Sequence, residues 1–416
     1  FDHSTVAGIA RLGGADEGDT ALVEARTLAD LRHDPDSPAR PGPAQQQLWF
    51  LNQLAGGAEA DPGRADSDNG SSTADYAIAF ALDLRGDLDV DALSGALRYA
   101  VDRHEMLRTV YPEHDGRPGL DVRPTDEVQT ELTVVETTSA EWPAQAQALA
   151  RRPFDLTVDV PLRVALHRID SDTAHHKLTL VIHHIAADGW SMVPLHRDIT
   201  TAYAELRTAA ENGTEAAVTA APPALDYRDY LRWQADHLET RTDLADRWRQ
   251  DLDGIDVGPV LVPDAPSGSA RTAGVVEVDF DAELRSRLSA LGGGRATEFM
   301  CVHAVFAALL HRLNADPEVH VAGSASDIVI GTPVAGRADP RLADIVGMFV
   351  NSVVLRTPVD GSQGFAALLD SVRSRDLDAL AGADMPFEQI VSMLNPPRTG
   401  RHPLFQIALA FDAGVS

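Results

Sequence analysis

The sequence predicts an α/β fold of two similar lobes, and three observations carry that reading. Residues 177–182 form a short, branched apolar run that ends in His183-His184-Ile185-Ala186-Ala187-Asp188-Gly189. Directly after it, Met192, Leu195, Ile199 and Tyr203 recur at helical spacing behind Ser191, which the spacing assigns as the helix cap. Past an Ala-rich, Pro-containing stretch at 216–223, a comparable order of strands and helices begins again, although no fixed-period repeat is visible.

The elements follow in order. Residues 1–12 read as the last amphipathic helix of another domain, and 13–42, rich in Gly, Asp, Pro and Ala, as a linker. Residues 55–73, rich in Gly, Asp, Ser and Ala, hold no bulky apolar side chain and read as a mobile loop. Ile78, Phe80 and Leu82 alternate as a strand, Asp89 opens a helix with Leu93, Leu97 and Val101 inward, and Leu107, Thr109 and Tyr111 suggest another strand. In the second half, 275–278 reads as a strand, Asp281 as a helix cap, and 297–313 as a buried helix through Phe299, Val302, Phe306 and Leu310. Strands at 327–330 and 348–356, a helix at 365–380 and a strand at 404–411 complete the pattern.

Composition bounds the function. The 416 residues suffice for more than one core. Sixty-three acidic against thirty-five basic residues give a formal charge of −28, which argues against nucleic acid and anionic membrane partners. Cys301, the lone cysteine, excludes an internal disulfide and sits on a helical face with Phe299 and Val302, as a core thiol does. Neither a signal peptide nor an 18-residue apolar run occurs, and the expectation is a cytoplasmic fragment of a longer chain.

The turn at 183–189 concentrates the chemistry. His184 can accept and return a proton near neutrality. Asp188 can orient an imidazole or pair with a distant Arg, and Gly189 permits either φ > 0 or close approach of a ligand. A bare His-His pair is as readily an ordinary strand end; the Asp-Gly at fixed offset and the strand-to-helix setting favour chemistry. The upstream pair His175-His176 lies about 27 Å away by strand rise, too far for a shared metal site, and is expected to face solvent.

The motifs resemble those of nonribosomal peptide synthetase condensation domains, members of the chloramphenicol acetyltransferase-like superfamily. Pro43-Ala44-Gln45-Gln46-Gln47-Leu48-Trp49 is similar to the family's opening motif, with Gly42 where Ser is usual and Gln47 where Arg is usual. Arg103-His104-Glu105-Met106-Leu107-Arg108-Thr109 resembles the second, His183 to Gly189 with Trp190-Ser191 the active-site motif, and Tyr227-Arg228-Asp229-Tyr230 the fourth. Val346-Gly347-Met348-Phe349-Val350-Asn351-Ser352 with Arg356 resembles the fifth, Asp384-Met385-Pro386-Phe387-Glu388 the sixth, and Arg401-His402-Pro403-Leu404-Phe405-Gln406 the last. Gly331 to Arg337 is also typical, and residues 1–10 are similar to the final helix of a peptidyl carrier protein.

The resemblance implies two chloramphenicol acetyltransferase-like lobes in a V-shaped pseudo-dimer, at 43–215 and 216–416, the second truncated, with the active site in a tunnel between them. It implies amide formation between an upstream carrier-bound acyl or peptidyl thioester, L-configured or achiral, and a downstream aminoacyl thioester. His184 would handle the proton, His183 shape the turn, Asp188 pair with Arg337, Gly189 keep the passage open, and Trp190, Ser191 and Asn351 line it. The domain itself would bind no metal or cofactor, 4'-phosphopantetheine arriving on carriers, with an adenylation domain as neighbour. The alternatives are a noncatalytic carrier-docking or recruitment module and an epimerisation-type relative. The His pair argues against a cyclisation domain, and the absence of His between Pro43 and Asp75 against a dual condensation-epimerisation domain.

Overall fold

A computed structural model describes residues 34, 38–59, 76–130, 132–214, 218, 224–255, 274–313, 325–398 and 401–411. The carrier-like helix at 1–12, most of the linker, and the loop from 60 to 73 lie outside them. Residues 55–59, expected in that loop, instead continue a helix, α1 (Pro43–Glu59), which starts on a proline whose missing N–H costs nothing there.

The chain divides into two compact units, Leu28–Thr240 with Asp339–Phe349, and Arg241–Ala338 with Val350–Ser416. This moves the boundary from the expected 215/216. The helix Tyr227–Thr240 stays with the amino-terminal unit because Arg228 Nε donates to Glu105 at 2.8 Å, and because Tyr227 and Tyr230 pack on Phe349, with ring centroids 4.9 Å and 4.6 Å away.

In the amino-terminal unit, β1 (Ala77–Arg85), β2 (Val134–Thr137), β3 (Leu162–Ile169) and β4 (His175–His183) form one sheet in the order β1-β4-β3-β2. β4 is therefore internal, antiparallel to both neighbours, with Ala77 opposite His183 and Leu162 opposite Ile182. Leu178, Leu180, Val181 and Ile182 are all buried, so both faces of the strand are covered, and its sequence shows an apolar run interrupted only by the buried Thr179 rather than alternation. The same position corrects the upstream pair: His176 is 3% exposed, enclosed between β1 and β3, and His175 Nε2 lies 2.7 Å from Asp83 Oδ1.

Asp89 caps α2 (Val90–Arg103) by accepting from the Ala92 N–H. Its buried face, Leu93, Leu97 and Val101, joins the core of Leu178, Leu180, Leu195 and Ile199 against α3 (Met192–Asn212). The expected strand at 107–111 is a 3-10 turn, Glu105–Arg108, followed by only Thr109–Val110 in a two-residue ladder. The reason lies in Arg108, whose guanidinium donates to the carbonyls of Val101 and Arg123 and wraps the backbone around itself.

The carboxy-terminal unit pairs β5 (Ala325–Val334) with β6 (Asn351–Asp360), antiparallel. Helix α4 (Glu298–Leu313) and helix α5 (Phe365–Ala381) pack together through Met300, Cys301, Leu368, Leu369 and Val372. His303 and Asp376, fully buried, join the two helices at 2.9 Å, and His303 Nε2 lies 3.3 Å from the Thr357 hydroxyl of β6. Burial also pushes the Cys301 thiol up, away from reactivity.

Two expected strands fail here. Val275, Val276, Val278 and Phe280 are exposed and irregular, without a ladder partner among the described residues, and an unpaired strand is not stable. At 404–411 only a parallel bridge, Gly331 to Ala408, forms. Phe405 fills the space where Gly331 has no side chain, a Cβ there meeting the ring at 2.3 Å.

Candidate active site

The site grows out of the end of β4. His183 donates its backbone N–H to the Pro161 carbonyl, and His184 to the Tyr76 carbonyl at 2.7 Å, so both residues are pinned across the sheet before the chain turns. Ala186 N–H closes the turn onto the His183 carbonyl. Gln45 of α1 braces it from outside: its buried amide donates to the Ile185 carbonyl at 2.9 Å and to the Tyr111 hydroxyl at 3.0 Å. The opening motif thus supports the residue next to His184.

The two imidazoles have different environments. His183 is fully buried, edge-on to Phe154 at 5.7 Å, and its Nδ1 accepts from the Ile185 N–H at 3.1 Å. Desolvation first, then the neighbouring His184 and Arg163, push its pKa down to about 3, so the ring is neutral. Its one side-chain hydrogen bond among the described residues is to the turn itself, at Ile185. His184 is half-buried, with Nδ1 enclosed and unpartnered. Burial lowers its pKa, while the Asp188 charge and the Ala187 backbone oppose the shift. A His lowered from its ordinary value is a neutral base at neutral pH.

Asp188 is buried and acts as a bracket. One oxygen accepts from the Ser191 N–H at 2.9 Å and the Ser191 hydroxyl at 2.8 Å; the other accepts from the Phe349 N–H at 3.0 Å. Asp188, not Ser191, is the capping side chain: it caps a short turn, Gly189–Ser191, with Ser191 bonding reciprocally to the Asp188 N–H, and α3 begins only after it. The Ser191 hydroxyl also reaches the Gly347 carbonyl at 3.0 Å and receives the Gly347 N–H at 3.1 Å. Ser191 is thus fully enclosed and fastens the turn rather than facing an opening.

Gly189 departs from one expectation. Its φ is not positive, so conformational freedom is not why glycine stands there; a Cβ at this position meets nothing within 4 Å, and the residue is exposed. Trp190 beside it is 40% exposed. His183, His184, Asp188, Gly189, Trp190 and Ser191 come together in the amino-terminal unit. Arg337 and Asn351 belong to the other. There Arg337 Nη1 donates to the Ala335 carbonyl at 3.5 Å. The Asn351 amide donates to the carbonyls of Ala383 and Met385 at 2.8 Å and accepts from the Phe387 N–H at 3.0 Å, tying down the loop of the sixth motif.

Gly347, Phe349 and Tyr227 were not singled out as site residues from the sequence. The Tyr227 hydroxyl donates to the Met348 carbonyl at 2.5 Å, and its ring occupies the place of a Gly347 side chain, a Cβ there falling 2.1 Å from Cδ2. Gly347→Ala should therefore cost about 1–3 kcal/mol by overpacking. A urea melt of that variant checks it; a wild-type midpoint would contradict this packing.

Comparison with known proteins agrees on a family. The model of the condensation domain matches residues 42–414. A probable non-canonical nonribosomal peptide synthetase of Salinispora arenicola is 38% identical over 99% of the chain, which spans 5% of that protein. An isonitrile lipopeptide synthase of Mycobacterium tuberculosis is 37% identical over 93% of the chain, which spans 15% of it. Among solved structures, the X-domain from teicoplanin biosynthesis in complex with OxyB is 29% identical at a TM-score of 0.76, covering 91% of this chain and 78% of that one. The first condensation domain of the calcium-dependent antibiotic synthetase shares the fold at 21% identity and a TM-score of 0.64, covering 90% of this chain and 81% of that one.

Proposed function

The chain belongs to the condensation-domain family of nonribosomal peptide synthetases, and on that premise we propose that it joins two carrier-bound substrates by an amide bond. The donor is an acyl or peptidyl thioester, L-configured or achiral, and the acceptor an aminoacyl thioester, each on a 4'-phosphopantetheine arm. The observation that carries the reading is His184, neutral and half-buried on a turn fixed from three sides.

An acceptor α-amine with a pKa near 7.7–8.0 is already partly neutral at physiological pH, so no strong base is required. With Nδ1 enclosed, Nε2 is the nitrogen left to meet the amine. It orients the amine as its lone pair attacks the thioester carbonyl and takes its proton as the tetrahedral intermediate forms; collapse of the intermediate expels the thiolate, which recovers the proton. The Gly189 N–H serves the developing oxyanion. Holding both reactants in place supplies a large part of the acceleration. Asp188 keeps the turn in register, and its expected ion pair with Arg337 belongs to the same proposal.

The test supplies the chain with one carrier bearing the donor and another bearing the acceptor. The acceptor carrier should gain the mass of the donor acyl group. A carrier that docks without mass transfer would favour the second reading, a recruitment module, for which the likeness to the X-domain seen with OxyB speaks. The space beside Gly189 sharpens the distinction. Gly189→Trp has room for its Cβ and a compatible backbone, so it should fold normally while obstructing the approach to His184. Amide formation should drop at least tenfold with carrier affinity and melting unchanged. Wild-type turnover in this variant would rule out a passage at Gly189.

A further inference from the structure

The carboxy-terminal unit contains a second concave feature that the proton chemistry does not use. A cavity of about 330 Å³ opens beside the end of helix α6 (Phe387–Leu394), where Asn395 stops the helix in a left-handed conformation. Arg398 and Arg401 line it, and among the described residues neither guanidinium has a hydrogen bond or an ion pair. Arg103, Arg228, Arg241 and Arg356, by contrast, each hold a carboxylate. No carboxylate belongs to the described lining of the cavity, in a chain whose net charge is −28.

The nearby helix end does not account for the two cations, because its partial charge of about −0.5 leaves most of the +2 unmatched. The other walls include Pro396, Pro397 and Pro403, which carry no backbone N–H and have a fixed φ. With the Ser392 hydroxyl and the Asn395 amide as neutral donors, the charged donors of the lining are the two guanidinium forks, beside stiff apolar surface. Arg forks suit the oxygens of a phosphate, and the volume suits a small organic group. We propose that this cavity binds the phosphate of an organic phosphate ester, the guanidiniums taking the phosphate oxygens and the prolines lying against the carbon chain. If the function proposed above holds, on which this source rests, the ester is the phosphopantetheine arm of a carrier; coenzyme A, a diffusible ester, offers the same chemistry.

Calorimetric titration with 4'-phosphopantetheine and with pantetheine, the same arm without its phosphate, isolates the contact. The phosphorylated arm should bind at least tenfold tighter, and the double variant Arg398→Ala/Arg401→Ala should erase the difference. Both side chains are exposed, so the variant should melt like the wild type, and Arg398→Lys/Arg401→Lys should retain part of the preference. Equal binding of both arms by the wild type, or a preference that survives the double Ala variant, would overturn the site. Two further titrations assign the source. Arginine-dependent tightening of a phosphopantetheine-loaded carrier over the unloaded one identifies the carrier's arm, tightening confined to coenzyme A identifies a diffusible ester, and tightening for neither overturns the proposal. His184→Ala should leave phosphopantetheine affinity unchanged, which separates a failure of this site from a failure of amide formation.

Discussion

Replacing His184 with Ala should lower amide formation by about 10²–10⁴-fold, the range a positioned proton-transfer group supplies, while leaving the fold in place. His184 is only half-buried and its Nδ1 has no partner to strand. Its backbone bond to Tyr76 survives the substitution, since it involves no side-chain atom. Loss of turnover without loss of melting temperature is therefore the expected pattern. The carrier-to-carrier assay, run beside thermal melting, checks both halves; unchanged turnover would remove His184 from the chemistry.

Asp188→Ala should do the opposite, taking stability and activity down together. Removing the carboxylate takes the acceptor from the buried Phe349 N–H, whereas the Ser191 N–H keeps the Asp188 backbone carbonyl at 3.1 Å and the Ser191 hydroxyl can still bond to the Gly347 carbonyl. One buried donor deprived of its acceptor costs about 1–3 kcal/mol. Asp188→Asn, which retains one acceptor oxygen, should fall between. Denaturant melts of both variants test this. An Asp188→Ala protein that melts like the wild type yet is inactive would move Asp188 out of the bracket and into the reaction.

The sequence revealed what local physics dictates. The largely apolar run of β4, the Asp89 cap and the inward row of α2 were legible because each depends on neighbours a few residues away. The capping role of Asp188 was also within reach, since Asp188 and Ser191 stand at the three-residue spacing of a reciprocal cap. The rest of the bracket was not. Ser191 meets Gly347 across 156 positions and Asp188 meets Phe349 across 161, and neither pairing leaves a periodic trace. The fifth motif is accordingly divided: residues up to Phe349 fasten the histidine turn, and Asn351 onward begins β6. At 275–278 the branched residues suggested a strand, but a strand needs a partner that a local run cannot provide.

The central claim is that a neutral His184, lowered from its ordinary pKa by burial, carries the proton of amide formation. The pH dependence of single-turnover transfer, in wild type and in His184→Ala, tests it most directly. A base must be unprotonated to act, and a lowered pKa keeps it so down through the ordinary His range. The wild-type rate should follow the loss of free amine below about pH 8 and show a second, steeper acid limb below about pH 6.5, with a midpoint that matches the His184 imidazole titration by NMR. That acid limb should be missing from the residual rate of His184→Ala. A second limb below about pH 6.5 that persists unchanged in the variant, or a His184 ring found protonated at neutral pH, would contradict the account.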